Sequence, residues 1–413
     1  MIPDAITGLQ CYQCNWIVPA EPFRYTCSKC GKNLDFIYDY EMILRSWSKA
    51  DLAVDPEKSI WRYLPLLPVK SAPENRSLQV GGTPLVTFPD LAEEHGITDF
   101  LIKDDTRNPS GSLKDRASEV AIQHARQQGQ EVMVAASTGN AGSSLAALTA
   151  FHGLESIIFV PASAPPAKLT QIQQYGAKLV AVDANYDTAF DLAFQWATEN
   201  DHYSRNTGIN PILAEGKKTA ALEIAEQCDW QVPDHIFVPV GDGCIISGLY
   251  KGFFDLMALG WIDHLPRLHA VQAEGSAAIV NSLKRGGDIE AVQAQTIADS
   301  ISVDLPRDGE KARRAILESG GLGLLVSDED IIRAQKELSA STGIFAEPAA
   351  AAAYAGFQQA STRQLFQQDE SVLVLITGTG LKDIPSARSS LGNLEVIKAD
   401  METIDNYLRA KTD

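Results

Sequence analysis

The run Phe100-Leu101-Ile102-Lys103-Asp104-Asp105, followed two residues later by Asn108-Pro109-Ser110-Gly111-Ser112-Leu113-Lys114-Asp115-Arg116, decides how the chain is read. A strand-like run stops at paired aspartates and the chain turns through Asn-Pro and Ser-Gly. Ala117, Val120, Ala121 and Ala125 then recur at helical spacing. Lys114 therefore stands at a loop-to-helix junction. Ser112 and Asp115 read as a capping pair, which puts Lys114 in the first helical turn, where the positive end of the dipole disfavours an ammonium and lowers its pKa. A partly desolvated amine that readily gives up its proton is what a Schiff base to an aldehyde requires.

Outward from this junction the same alternation continues. Buried-looking strand runs at Phe100–Lys103, Val132–Ala136, Ile157–Val160, Leu179–Val182, Ile236–Val240, His269–Gln272 and Val372–Ile376 are separated by helical stretches. Those stretches fall near 113–128, 141–152, 166–175, 186–199, 217–227, 245–259, 275–285, 309–319, 328–342 and 348–360. Strands alternating with helices predict an α/β fold with parallel sheets covered by helices. Residues 35–77 carry aromatics, prolines and a helix near Tyr40–Ser48, and read as a connector. The tail 393–413 reads as a terminal helix with Met401, Ile404 and Leu408.

The 413 residues allow two lobes and a small appendage, because single cores stop growing near about 250–300 residues. A formal charge of −18 argues against nucleic-acid and anionic-membrane partners. No run of about 18 apolar residues occurs, and Met1-Ile2-Pro3-Asp4 opens without a basic region or a signal core, so the expected setting is the cytoplasm.

Four of the six cysteines form two C-x-x-C knuckles, Cys11 with Cys14 and Cys27 with Cys30. Knuckles this close match a tetrahedral four-thiolate site, read here as structural zinc in a ribbon-like segment 1–34, with iron in rubredoxin-like geometry or an empty remnant as the alternatives. A reducing cytoplasm disfavours disulfides. Cys228 reads as core filling.

Val238-Pro239-Val240 runs into Gly241-Asp242-Gly243-Cys244-Ile245 and a helix, an arrangement whose backbone N–H groups suit a phosphate. A Rossmann dinucleotide loop fails on spacing, since its third glycine would fall at Ile246. Ser137-Thr138-Gly139-Asn140 similarly links a strand to a helix and forms a nest for a carboxylate. Glu347-Pro348 reads as a helix start with proline at its first position. The seven histidines show no metal-ligand spacing.

The Lys114 stretch, Ala136-Ser137-Thr138-Gly139-Asn140, Gly216-Lys217-Lys218-Thr219, the Gly241 loop, Glu347-Pro348-Ala349 and Thr377-Gly378-Thr379-Gly380-Leu381-Lys382-Asp383 together resemble the fold-type II pyridoxal-phosphate enzymes. The closest resemblance is to their threonine synthase branch, over about residues 78–390. It implies two lobes, each with a mostly parallel sheet flanked by helices: a large one from 78–116 and 211–392, and a small one from 117–210. Pyridoxal 5′-phosphate would lie between them in a homodimer.

By the same resemblance, Lys114 carries the Schiff base and is the catalytic group. Asn140 meets the cofactor's phenolic oxygen, Gly241, Asp242, Gly243, Cys244 and Ile245 hold its phosphate, and Thr377 faces its pyridine nitrogen. Lys103, Ser137, Thr138 and Lys217 become candidates for a small amino-acid substrate and its phosphate.

The implied reaction is O-phospho-L-homoserine plus water to L-threonine and phosphate, with a serine/threonine dehydratase or a cysteate-synthase-like enzyme as the alternative. This chain departs from the branch in three places. Asp242 replaces a usual Asn, Thr379 a frequent His, and Asn210-Pro211-Ile212-Leu213-Ala214-Glu215-Gly216 lacks the Arg often found there.

Overall fold

The strand at the head of the deciding stretch is Asp99–Asp104, with Phe100 and Ile102 fully buried. In the computed structural model, which describes residues 3–21, 24–391 and 393–412, it lies inside a six-stranded sheet. Gly392, the expected end of the large lobe, lies outside the described residues, as do Met1 and Ile2. The sheet order is Gly323–Val326, Arg267–Ala273, His235–Pro239, Ser371–Ile376, Asp99–Asp104 and Leu85–Thr87. All neighbours are parallel except the edge strand Leu85–Thr87, which runs antiparallel with Val86 opposite Ile102.

Parallel strands buried on both faces need helices on both faces. Along Ser371–Ile376 the period of two divides the packing. Val372, Val374 and Ile376 join Phe100, Phe237 and the alanine-rich helix Pro348–Thr362, whose small side chains let it lie close to the sheet. Leu373 and Leu375 face the other way, toward Leu249 and Phe253 of helix Cys244–Ala258 and Ala220 and Ile224 of helix Pro211–Gln227.

A second sheet, ordered Lys178–Val182, Glu155–Pro161, Val132–Ala136 and Tyr203–Ser204, is parallel throughout. Phe190, Ala193 and Ala197 of helix Tyr186–Glu199 cover one face of it through Val134, Ala136 and Phe159.

The chain starts with an antiparallel sheet of Ile17–Val18, Ile6–Cys11 and Leu34–Tyr38. Residues 35–38, the start of the expected connector, thus pair within this sheet. Its Leu9, Leu34 and Phe36 pack into the main core. Among the described residues, no helix is long and apolar enough to cross a membrane.

Helix Pro211–Gln227 begins six residues before its expected start at 217, because Asn210 accepts the Ile212 N–H at 3.0 Å and Pro211 occupies the first position. The strands Leu85–Thr87, Tyr203–Ser204 and Gly323–Val326 were not expected, being too short to show a period. The expected Ser112–Asp115 cap does not form. The helix starts at Lys114 itself, and the Asp115 carboxylate instead accepts the Ser110 N–H at 2.6 Å.

Candidate active site

The turn bearing Lys114 is fastened to the turn after the last strand. Leu113 N–H donates to Thr377 O at 2.9 Å, Thr379 N–H donates to Gly111 O at 3.1 Å, and Ser112 bridges Gly378. Lys114 lines a cavity of about 500 Å³ together with Ser137, Thr138, Asn140, Glu347, Thr377 and the whole Gly241–Ile245 loop. A second, outer cavity of about 700 Å³ shares the Thr138–Asn140 turn and Glu347 as walls.

Burial pushes the Lys114 amine down to about 8, and the nearby Lys217 charge adds to this, while Cys244 and Glu347 oppose it. Desolvation is the main cause, and it yields the readily deprotonated amine that imine chemistry needs.

Opposite Lys114, the glycine loop enters a fifteen-residue helix whose first-turn N–H groups lack acceptors within the helix. Gly243 has φ +94, and a Cβ there would come within 2.6 Å of Ala312 Cβ; one on Gly241 would meet Ile301 Cα at 2.9 Å. Only glycine lets the backbone take this path.

Asp242 does not point its charge at the cradle. Its Oδ1 accepts the Arg307 N–H at 3.2 Å, and its carbonyl accepts the Asp308 N–H at 3.1 Å. Behind the loop, Lys217 Nζ is buried with no hydrogen-bond partner among the described residues, in the field of Cys244 and Arg205. A buried, orphaned cation beside a helix N-terminus is a fit for a phosphate. The donor set therefore suits pyridoxal 5′-phosphate; Lys217, expected on the substrate side, lines neither of the two cavities.

Ser137 accepts the Gly139 N–H at 3.2 Å and so holds the nest in shape, while Asn140 Nδ2 donates to Glu347 at 2.8 Å. Lys103 is a correction. Its Nζ donates to Thr83 O at 2.7 Å, and to Glu223 and Gln227 at 2.8 Å each, inside a buried network that also holds Arg116 and Asp105. It lines neither cavity, because Asp99–Asp104 points it behind the sheet edge.

Two residues with site contacts had no role in the sequence reading. Glu347, a helix start by its sequence context, also sends its carboxylate into the cleft. Lys382 Nζ donates to Ser143 at 3.0 Å and Gln171 at 2.9 Å on the wall of the outer cavity. Both stand in motifs visible in the sequence, but only the fold shows which way they point.

The four N-terminal cysteines converge. Cys11 and Cys30 sulfurs lie 3.4 Å apart, Cys14 and Cys27 3.7 Å, and Cys14 and Cys30 3.6 Å, with all four within 4.8 Å of one another. That is the donor set and spacing of a four-thiolate metal site.

The family described as "Pyridoxal-phosphate dependent enzyme" matches residues 76–378. The threonine synthase of Methanocaldococcus jannaschii is 40% identical over 97% of this chain and 99% of its own length. That of Methanosarcina acetivorans is 37% identical over 98% and 99%.

Among solved structures, a fungal L-serine ammonia-lyase from Rhizomucor miehei superposes with a TM-score of 0.64 at 23% identity, covering 75% of this chain and 98% of that one. The processed threonine deaminase isoform 2 of Solanum lycopersicum gives 0.63 at 20%, covering 79% and 82%. At such identities these two speak for the fold alone. With the Lys114 cleft, the glycine cradle and full-length relatives of this similarity in hand, the chain belongs to the threonine synthase family of pyridoxal-phosphate dependent enzymes.

Proposed function

We propose that the protein converts O-phospho-L-homoserine and water to L-threonine and phosphate. The observation that carries this is the position of Lys114, desolvated and facing one cavity whose opposite walls are the glycine cradle and the Ser137–Asn140 nest. When bound, pyridoxal 5′-phosphate supplies an aldehyde for amine exchange and a ring that draws electrons from the substrate's Cα. Gly241, Asp242, Gly243, Cys244 and Ile245 present backbone to its phosphate, with Lys217 as countercharge. Asn140 would meet its phenolic oxygen, and Thr377 would offer the ring nitrogen a hydroxyl rather than a carboxylate.

The chain's residues then divide the work. Ser137, Thr138 and the nest's N–H groups take the substrate carboxylate. The Lys114 amine would move the protons at Cα and Cβ in turn, one positioned amine serving each transfer. Phosphate leaves from Cγ and water adds at Cβ. For the substrate phosphate we assign Lys382, with Ser143. Among the described cavity-lining cations other than Lys114, Lys168 is ion-paired with Asp299 and Arg307 with Asp187, whereas Lys382 hydrogen-bonds to neutral Ser143 and Gln171, with the Glu347 and Asp115 carboxylates nearby.

The lobes follow the two sheets. One draws its strands from 85–104 and 235–376, the other from 132–204, which supports a large lobe of 78–116 and 211–392 and a small lobe of 117–210. We further assign structural zinc to Cys11, Cys14, Cys27 and Cys30, supported by their convergence and tested by metal analysis of the purified protein. The reading includes a cytoplasmic homodimer. Light scattering measures the stoichiometry.

The missing Arg in 210–216 favours one alternative, a β-eliminating or β-replacing enzyme acting on serine, threonine or phosphoserine. Supplying phosphohomoserine, threonine, serine and phosphoserine separately distinguishes the two. Joint release of phosphate and threonine from phosphohomoserine supports the proposal; 2-oxobutyrate from threonine sinks it.

A further inference from the structure

Asn33 links the cysteine segment to the residues that hold the cofactor loop. Asn33 follows the second knuckle and is held from both sides. Cys27 N–H donates to Lys32 O at 2.8 Å, Thr26 bridges Asn33, and the next residue, Leu34, pairs with Cys11 across the N-terminal sheet. From this position Asn33 Nδ2 donates to three acceptors: Gly208 O at 2.8 Å, Arg307 O at 3.0 Å and Asp308 Oδ1 at 2.7 Å.

Those acceptors are the residues that fix the glycine loop. Arg307 N–H and Asp308 N–H hold the Asp242 carboxylate and carbonyl. Asp308 O lies 2.9 Å from where a Cβ of Gly243 would stand, so the 307–308 backbone is pressed against the loop. Gly208 is packed equally closely, since a Cβ on it would meet Arg307 Cβ at 2.7 Å. It directly follows Thr207, which lines the Lys114 cavity. Lys311, ion-paired with Asp35, fastens the same two segments a turn further on.

An amide with two N–H groups and three acceptors fills this junction; an aliphatic side chain would leave buried acceptors unpaired, and a carboxylate would repel Asp308. We propose that Asn33 is a positioning residue for the cofactor-phosphate loop, so that a metal-filled Cys11-Cys14-Cys27-Cys30 knuckle braces the cofactor from outside the cleft. The inference rests on reading Gly241–Ile245 as the phosphate cradle and the four cysteines as a metal site. It goes beyond both by coupling them.

The test compares holoprotein of the wild type, Asn33→Ala, Asn33→Asp and, as a control on the same segment, Trp16→Ala, whose side chain is exposed. Three quantities are measured: bound metal, the rate at which pyridoxal 5′-phosphate is lost into cofactor-free buffer, and the ³¹P resonance of the bound phosphate. Both Asn33 variants should keep wild-type metal and lose cofactor about tenfold faster, as expected for lost hydrogen bonds to a charged group. Their phosphate resonance should shift, and Trp16→Ala should match the wild type.

Asn33→Asp, which preserves shape, carries the test should Asn33→Ala not fold. Wild-type release rates and an unmoved resonance in a metal-loaded Asn33 variant overturn the inference alone. A wild-type protein that retains no cofactor overturns the cradle reading beneath it as well.

Discussion

Asn140 donates through Nδ2 to a carboxylate oxygen of Glu347 at 2.8 Å, joining the start of helix Asn140–His152 to the start of helix Pro348–Thr362 across the cleft that Lys114 faces. The bond is tightly enclosed: a Cβ on Gly378 would lie 2.5 Å from Glu347 Oε1. It therefore fixes the amide assigned to the cofactor's phenolic oxygen. Glu347→Ala should fold, since the residue caps nothing with its side chain. It should lower kcat/KM by about 10–100-fold, the cost of an unpaired buried donor. Steady-state kinetics at saturating cofactor check this, and near-normal turnover would return Glu347 to a purely structural role.

Lys382→Met removes a cavity-lining ammonium whose hydrogen-bond partners, Ser143 and Gln171, are neutral. KM for phosphohomoserine should rise about 10-fold or more, while affinity for unphosphorylated serine changes little, because only the phosphate loses a charged partner. Equal losses for both ligands would place the lysine's role in shaping the wall.

The depressed Lys114 amine gives a pH dependence of definite sign. Below about 8 it is an ammonium and cannot attack an aldehyde; above that it is free to do so. The rate at which apoprotein takes up pyridoxal 5′-phosphate should rise through about pH 8 and then level off. The Glu347 charge favours the ammonium, so Glu347→Gln should move the midpoint lower. Stopped-flow absorbance measures both, and a midpoint near that of a free lysine would contradict the burial.

Much of this was legible beforehand because backbone and helix-terminal chemistry leaves marks in sequence. The glycine cradle needs residues that tolerate φ near +94, and the parallel strands need unbroken apolar runs. Side-chain direction leaves no such mark. Lys103 and Lys114 are both lysines near the same turn, yet one is locked to Glu223 and the other lines the cavity. Asp242 departs from the usual Asn, and only the fold shows that the Arg307 N–H holds its carboxylate aside. Asn33 offered no signal at all, since its partners lie about 175 and 275 positions away.

Acid should destabilise the protein through a buried histidine pair. His269 Nδ1 accepts the Leu322 N–H at 3.1 Å and its Nε2 meets His235 Nδ1 at 2.8 Å. Burial, helped by His235 and Arg267, holds the His269 pKa at about 3, against an ordinary 6.5. The unfolded chain therefore takes up the proton first. Stability is full above about 6.5 and lost as pH falls toward 3. Between about pH 7 and 5 the loss from this group should be about 1–2 kcal/mol. Urea unfolding of the wild type and of His269→Asn, which keeps an acceptor for Leu322, should show a shallower acid slope in the variant. Parallel slopes would clear His269 of the effect.

The central claim is that one amine, at Lys114, carries the cofactor. Borohydride reduction of the holoprotein, followed by peptide mass mapping, fixes the pyridoxyl group where it was attached. The account predicts a single modified peptide bearing it on Lys114; attachment at Lys217, at Lys103 or at no lysine would contradict it.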